Sequence, residues 1–212
     1  MNNLDFIYNR HSVRKFKNDV IPQDDINEIV KAATYAPSAK NVQNWHFVIL
    51  KDKSKIQQIS KIVENSNSKM AESIEDEKLK KELVKFRTYH TIFKDAPVLI
   101  LAYVGVFRDV AVEVLKLKGA TSEELHTIMR VAPAIQNISA SIENLILSAS
   151  ALGYGTCWMT GPVYAFKEIE KFIDFKKEGY FLASLIPIGI PEIKDIKSPS
   201  RKSLEEVMTL IE

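Results

Sequence analysis

Cysteine is nearly absent from this 212-residue chain: Cys157 is the only one, so no disulfide can form within it. A lone thiol fits a reducing compartment, and we expect a cytoplasmic protein. The four histidines are scattered, and none stands at zinc-ligand spacing with another histidine or the cysteine, so no metal site is expected. The sequence also lacks a Gly-x-Gly-x-x-Gly motif, which argues against a Rossmann domain. It offers no order of Ser, His and Asp that would suggest a catalytic triad.

Charge of one sign is not in excess either. The 29 basic and 27 acidic residues leave a net charge of +2. Nucleic acids and membrane surfaces attract proteins with a concentrated excess of positive charge, so neither partner is expected. Residues 1–16 contain no cationic stretch followed by an apolar one, and we therefore expect no secretory signal. The clearest apolar run, residues 97–104, is too short to cross a bilayer.

Hydrophobic periodicity predicts one α+β domain over residues 1–212. Short apolar runs predict four strands, at residues 46–50, 97–104, 155–159 and 180–190. Apolar residues at helical spacing predict helices from about 22 to 37, from 54 onward, across 131–154 and after 203. Residues 64–90 are rich in Lys and Glu and lack turn residues, so we expect a mobile helical excursion or lid there.

The helix predicted over 131–154 carries a single charged residue, Glu143. One of its faces is apolar, and the opposite face consists of Ala, Ser and Asn. Small residues allow close helix approach, so this pattern predicts a helix buried on all sides. In a chain of this length the expected cause is a subunit interface, with residues 134–152 inside it.

A group of cations and a hydroxyl stands near the N-terminus: Arg10, His11, Ser12 and Arg14. Arginine forks, an imidazole and a hydroxyl supply charge-assisted donors for a phosphate. An isolated cluster of this kind also fits a solvated basic turn. A second basic pair, Arg201 and Lys202, favours the phosphate interpretation.

A loop of small and amide side chains follows the first predicted helix; its candidate binding residues are Pro37, Ser38, Ala39, Asn41 and Gln43. Such residues can hydrogen-bond the edge of a planar polar ring and let backbone approach it. They also fit an ordinary polar loop. Trp45, which closes the loop, is expected to be a packing anchor. A phosphate site together with an amide loop suggests a nucleotide-like cofactor.

Four motifs in order resemble the nitroreductase-like FMN-dependent oxidoreductase family: residues 10–16, 36–45, 153–159 and 199–207. The resemblance spans almost the whole chain. It implies a central, mainly antiparallel sheet flanked by helices, in an interlocked homodimer. It also implies that FMN lies in clefts at the dimer interface, contacted by both subunits.

The resemblance assigns roles to the candidate residues. The Arg-His-Ser segment and the C-terminal basic pair would hold the phosphate and ribityl chain, while the loop of residues 37–43 from the partner subunit would meet the ring system. Thr156, Cys157 and Trp158 would supply backbone near the ring face and N5. Asn44 stands where the family usually has proline, so a less rigid loop is expected.

The activity implied is reduction of nitroaromatics, quinones or similar small acceptors by a ping-pong mechanism, with NAD(P)H as a transient hydride donor. No side chain is obligatory for this chemistry, because the flavin carries it. Arg14 is the candidate stabiliser of the reduced flavin, since arginine stays charged. Two alternatives stay open: another flavin reaction on this scaffold (dehalogenation, enone reduction or flavin fragmentation), and a non-enzymatic FMN-binding protein. Cys157 is expected to be a small buried hydrophobe.

Overall fold

The structure, a computed structural model, describes residues 3–193 and 199–212. Its helices are α1 (Asp5–Tyr8), α2 (Gln23–Thr34), α3 (Lys53–Glu72), α4 (Glu77–His90), α5 (Val110–Leu117), α6 (Ser122–Met129), α7 (Pro133–Ala151), α8 (Phe166–Ile173) and α9 (Leu204–Val207). Its strands are β1 (Trp45–Leu50), β2 (Val98–Gly105), β3 (Gly155–Thr156) and β4 (Tyr180–Gly189). In the described part of the chain, no helix combines the length and apolar character needed to cross a membrane.

The four strands form one antiparallel sheet in the order β1-β2-β4-β3. Strand β2 lies inside the sheet and is buried along its entire length. A register shift between Ala102 and Tyr103 interrupts its pairing with β4. The predicted α+β class with a central antiparallel sheet is therefore confirmed.

Both faces of β2 are covered by helices, because successive side chains of a strand point to opposite sides. Ile100 and Val104 belong to a core cluster with residues of α2 and α7. Leu99 and Leu101 belong to a second cluster with residues of α3 and α8. This two-sided burial explains why β2 reads as a continuous apolar run in the sequence.

Helix α7 is buried on one face by its own chain. Five of its predicted apolar positions are buried there: Ile138, Ile142, Leu145, Ile146 and Ala149. The core of one subunit therefore accounts for this apolar face, and the prediction that the helix is buried on all sides does not hold within one chain. The outer face, which includes Ser139, Glu143 and Leu147, is half-buried and remains available to a partner.

Two predicted segments differ from the structure. The third strand ends at Thr156 and not at 159, because Met159 makes only an isolated bridge with Leu185. Residues 64–90 contain a break at Ser73–Asp76, where the Asp76 side chain caps α4 by accepting from two backbone N–H groups. Helices α5 and α6 were not predicted, since their short amphipathic turns give a weak periodic signal.

A polar link joins α7 to the loop before β1. The Asn137 side chain donates to Asn44 Oδ1 (2.9 Å) and accepts from the backbone N–H of Ala39 (2.9 Å). Asn44 in turn donates to the carbonyl of Gly105, whose N–H donates to the carbonyl of Asn44 (2.7 Å). Asn44 is 6% exposed, and these hydrogen bonds restrain it at the position where the family usually has proline.

We expect Asn137→Ala to destabilise the protein by about 1–3 kcal/mol, because it removes the hydrogen-bond donor to the buried Oδ1 of Asn44 and the acceptor of the Ala39 N–H. Urea unfolding would measure the change. Asn144→Ala is the matched control: this partly buried residue of the same helix makes one long bond, to Ala32 O at 3.3 Å. Equal losses for both variants would contradict a special role for the Asn137–Asn44 link.

Candidate cofactor site

The N-terminal cationic segment, residues 10–14, lies against strand β3. Ser12 and Thr156 form a parallel bridge, and the Val13 N–H donates to the Thr156 carbonyl (2.8 Å). A Cβ atom at Gly155 would lie 2.5 Å from Cγ2 of Val13, so only glycine permits this approach. The structure thus brings the motifs of residues 10–16 and 153–159 into contact, and the missing side chain of Gly155 makes room for this contact.

Cys157 directly follows this contact in the chain and is 6% exposed. Burial raises the pKa of its thiol, while Arg14, a hydrogen bond with Ser12, and Arg10 lower the pKa by smaller amounts. The net effect is a neutral thiol, as expected for a small buried hydrophobe and not for a nucleophile. The same interactions show that Arg10, Ser12 and Arg14 converge on one place.

His11 adds an unused polar atom to this group. Its Nδ1 lies 3.0 Å from the carbonyl of Asn9, which assigns the proton to Nδ1. Its Nε2 is buried and has no hydrogen-bond partner in the described part of the chain. Within residues 3–193 and 199–212, no ion pair involves Arg10 or Arg14. Unpaired cations beside an unpartnered ring nitrogen favour a ligand site over a solvated turn.

The amide loop is held in an unusual backbone conformation. Lys40, Asn41 and Gln43 all have positive φ, between 45° and 56°. The Ser38 hydroxyl accepts from the Gln43 backbone N–H (3.1 Å), and the side chains of Gln43 and Asn41 bond each other (3.1 Å). Pro37, Ala39, Asn41 and Gln43 are exposed, and Ser38 is half-buried. The loop therefore presents polar groups at the surface on a restrained backbone.

The loop contacts the start of helix α7, and the cationic segment contacts the strand that follows its end. Ala39 bonds Asn137 in the second turn of α7, whereas Ser12 meets the strand that follows the end of α7. Asn137 and Ala151 are fourteen positions apart along the helix, which corresponds to about 21 Å at 1.5 Å per residue. One chain does not bring the two predicted halves of the site together.

The C-terminal basic pair is also separate from the cationic segment. Every residue from Pro199 to Glu212 is exposed, including Arg201 and Lys202. Among the residues that the structure describes, the Arg201 guanidinium donates to the carbonyl of Pro199 (2.7 Å), within the same arm. Trp158 is 36% exposed, and its indole N–H donates to Ser184 Oγ (2.8 Å), which fits packing. Trp45 is buried in the core, as predicted.

A cleft beside Arg14 contains residues that the sequence did not single out. Asn65 and Ser68 of α3 and Arg87 of α4 line it, and its volume is about 540 Å³. These side chains fall in the Lys- and Glu-rich stretch, where polar residues on helices resemble a solvated face. Their spacing in the sequence does not distinguish them from the polar residues of an ordinary solvent-exposed helix face.

His90, the last residue of α4, contacts helix α3 and Gly161. Its Nδ1 lies 3.1 Å from the amide nitrogen of Asn67, which is 2% exposed. A Cβ atom at Gly161 would lie 2.4 Å from the His90 ring, so the ring packs directly on that glycine. Burial lowers the pKa of His90.

Comparison with known proteins agrees with this fold. The model of the Nitroreductase family matches residues 7–190, and the chain therefore belongs to that family. It is similar to a BluB-like flavoprotein from Clostridium difficile 630, whose crystal structure superposes with a TM-score of 0.91 at 36% identity over 100% of both chains. It is 41% identical, over 89% of this chain and 85% of the relative, to an Archaeoglobus fulgidus protein provisionally named NADH dehydrogenase/NAD(P)H nitroreductase.

A third relative adds bound molecules. The crystal structure of an oxidised iodotyrosine deiodinase contains FMN and 3-iodo-L-tyrosine. It superposes with a TM-score of 0.69 at 26% identity, over 97% of this chain and 98% of that one. The names of these relatives thus refer to different reactions.

The position of His90 predicts that acid destabilises the protein. Burial in the folded state lowers the pKa of His90 and so disfavours its protonated form, whereas the unfolded chain binds a proton near pH 6.5. The free energy of unfolding should therefore fall as the pH drops below about 6.5. His90→Gln should flatten this dependence between pH 7 and 5.5, as measured by urea unfolding.

His126→Gln, at an exposed histidine, is the control and should leave the pH dependence as in the wild type. The pKa of His46 is also lowered, by burial and by Lys177, and it contributes equally to all three proteins. An unchanged slope in His90→Gln would refute the assignment.

Proposed function

We propose that this protein binds FMN and transfers electrons from NAD(P)H to nitroaromatics, quinones or similar small acceptors. The observation that supports the proposal most is the convergence of Arg10, Ser12 and Arg14 beside β3, with the unpartnered Nε2 of His11, in a chain of the nitroreductase family. Cations without ion-pair partners and a free ring nitrogen fit the phosphate and polar edges of FMN.

The proposed roles follow the chemistry of each residue. Arg10, His11 and Ser12 bind the phosphate and ribityl chain, and Arg201 and Lys202 add charge from the C-terminal arm. Thr156, Cys157 and Trp158 provide backbone against the ring, and the amide loop from a second copy hydrogen-bonds its edge.

When bound, FMN supplies the hydride-transfer chemistry. Arg14 keeps a fixed positive charge at the site and so stabilises the negative charge of a reduced ring. A unit charge about 4 Å away contributes on the order of 4 kcal/mol at an effective dielectric of 20. The neutral thiol of Cys157 takes no part in proton transfer, and solvent supplies the protons.

A homodimer is part of the proposal. The amide loop and the cationic segment are too far apart in one chain to contact one ligand, and a second copy supplies the missing half. The C-terminal arm exposes large apolar side chains, which favour burial against a partner: Leu204, Val207, Met208, Leu210 and Ile211. The half-buried outer face of α7 offers a further surface for the same contact.

Reductive dehalogenation is the second candidate. The deiodinase with bound FMN and 3-iodo-L-tyrosine is similar to almost the whole of this chain. The proposed flavin site serves this reaction equally well, since two electrons and a proton replace the halogen and release halide. Iodide release from 3-iodo-L-tyrosine by the reduced protein would separate the two candidates.

The cofactor proposal predicts a yellow protein that releases FMN on heating, identified by chromatography. NADH or NADPH should bleach the flavin without oxygen, and menadione or nitrofurazone should restore its colour. Release of FAD alone, or a colourless protein that FMN cannot reconstitute, contradicts FMN binding. A flavin that neither nicotinamide bleaches would leave the non-enzymatic alternative.

The dimer predicts that Ser139→Arg yields a monomer that loses its flavin, because the change places a charge on the outer face of α7. Ser141 and Ala149 are unsuited to this test, since both are fully buried within their own chain. Sedimentation equilibrium and the flavin absorbance would report the result. Ser66→Arg, at a half-buried serine of α3, should stay dimeric. A yellow Ser139→Arg monomer would refute the shared site.

A further inference from the structure

Apart from Arg14, the residues that line the cleft beside it have no part in the roles proposed above. Arg14 and Lys15 of the N-terminal segment border it, as do Asn65 and Ser68 of α3 and Arg87 of α4. Its volume, about 540 Å³, lies in the range of small-molecule sites. Because Arg14 belongs both to the cleft and to the proposed flavin site, a molecule in the cleft adjoins the flavin.

The charges around the cleft are unbalanced. Four cations border it, Arg14, Lys15, Arg87 and Lys94, against two carboxylates, Glu64 and Asp95. None of these six side chains takes part in an ion pair within residues 3–193 and 199–212. Unpaired like charges around one cleft repel each other, and an anionic ligand removes that cost.

Arg87 is available to such a ligand and has the side chain best shaped to bind it. It is exposed, and its contact with Ser68 Oγ is long, at 3.5 Å. Helix α4 has no buried residue, so Arg87 serves no core of the domain. Its planar fork binds a carboxylate or a phosphate through two parallel hydrogen bonds, which a lysine cannot do.

We propose that Arg87 anchors an anionic group, carboxylate or phosphate, of a substrate that exchanges electrons with the flavin. This inference rests on the proposed function and specifies the class of substrate. The group belongs either to a carboxylate-bearing acceptor or to the phosphates of the nicotinamide donor, and the two sources share one chemistry. Neutral acceptors bind without this anchor.

Calorimetric titration of the oxidised FMN-loaded protein tests the anchor without turnover. The probes are 4-nitrobenzoate, its neutral counterpart 4-nitrobenzamide, and the oxidised nucleotides NAD+ and NADP+, which carry the phosphates of the donor but cannot reduce the flavin. Arg87→Gln should weaken binding of 4-nitrobenzoate or of NADP+ about ten-fold, as expected for loss of a charge-assisted pair, and leave 4-nitrobenzamide unchanged. Loss for the nitrobenzoate identifies the acceptor as the source of the anion, and loss for NADP+ identifies the donor.

Lys81→Gln is the matched control, because it removes a cation from the same helix outside the cleft and should change none of these affinities. Unchanged affinity for every anionic probe in Arg87→Gln overturns the proposal, as does an equal loss for 4-nitrobenzamide. A third contrary result is weaker binding of FMN but not of riboflavin, which would assign Arg87 to the cofactor phosphate. Failure of the wild type to reduce any acceptor would count against the proposed function alone, since the affinities are measured separately.

Discussion

The packing of helix α7 along the sheet is the constraint on which the rest of the structure depends. Its buried face, from Ile138 to Ala149, forms one core cluster with α2 and alternate residues of β2. Its first turns hold the amide loop through Asn137, and its end leads through Gly153 (φ +86°) into β3. One rigid helix thus sets the distance between the two candidate binding regions.

That distance has a consequence for the candidate cofactor site. The amide loop and the cationic segment are each well restrained, one by Asn137 and the other by its pairing with Thr156. Neither can move some 20 Å without breaking the core around α7. The proposed dimer resolves this separation, because a two-fold axis can bring the loop of one copy to the segment of the other.

Burial affects ionisation beside the cationic segment, residues 10–14, at least as much as the nearby positive charges do. Arg10 and Arg14 lie beside a thiol whose pKa is nevertheless raised, since desolvation outweighs the two cations. The site therefore offers positive charge without a reactive thiolate. Such a site suits a ligand that brings its own negative charge and its own redox chemistry.

Several features were predictable from sequence alone. The antiparallel α+β core followed from apolar runs such as β2, because strands buried on both faces leave a continuous signal. The cationic segment and the Gly155–Thr156 strand were identified by residue type and order. The roles of Asn44 and Asn137 were not predictable: a buried asparagine looks like any loop or helix amide until its partners, far away in the sequence, are known.

The sequence by itself determined the family, the core strands and the residue types available to bind an anion, because these depend on local pattern and composition. Only the tertiary structure decided which of those residues meet. It joined Ser12 to Thr156, separated both from the amide loop, and placed Arg87 beside Arg14, because contacts between distant segments depend on how the helices pack on the sheet.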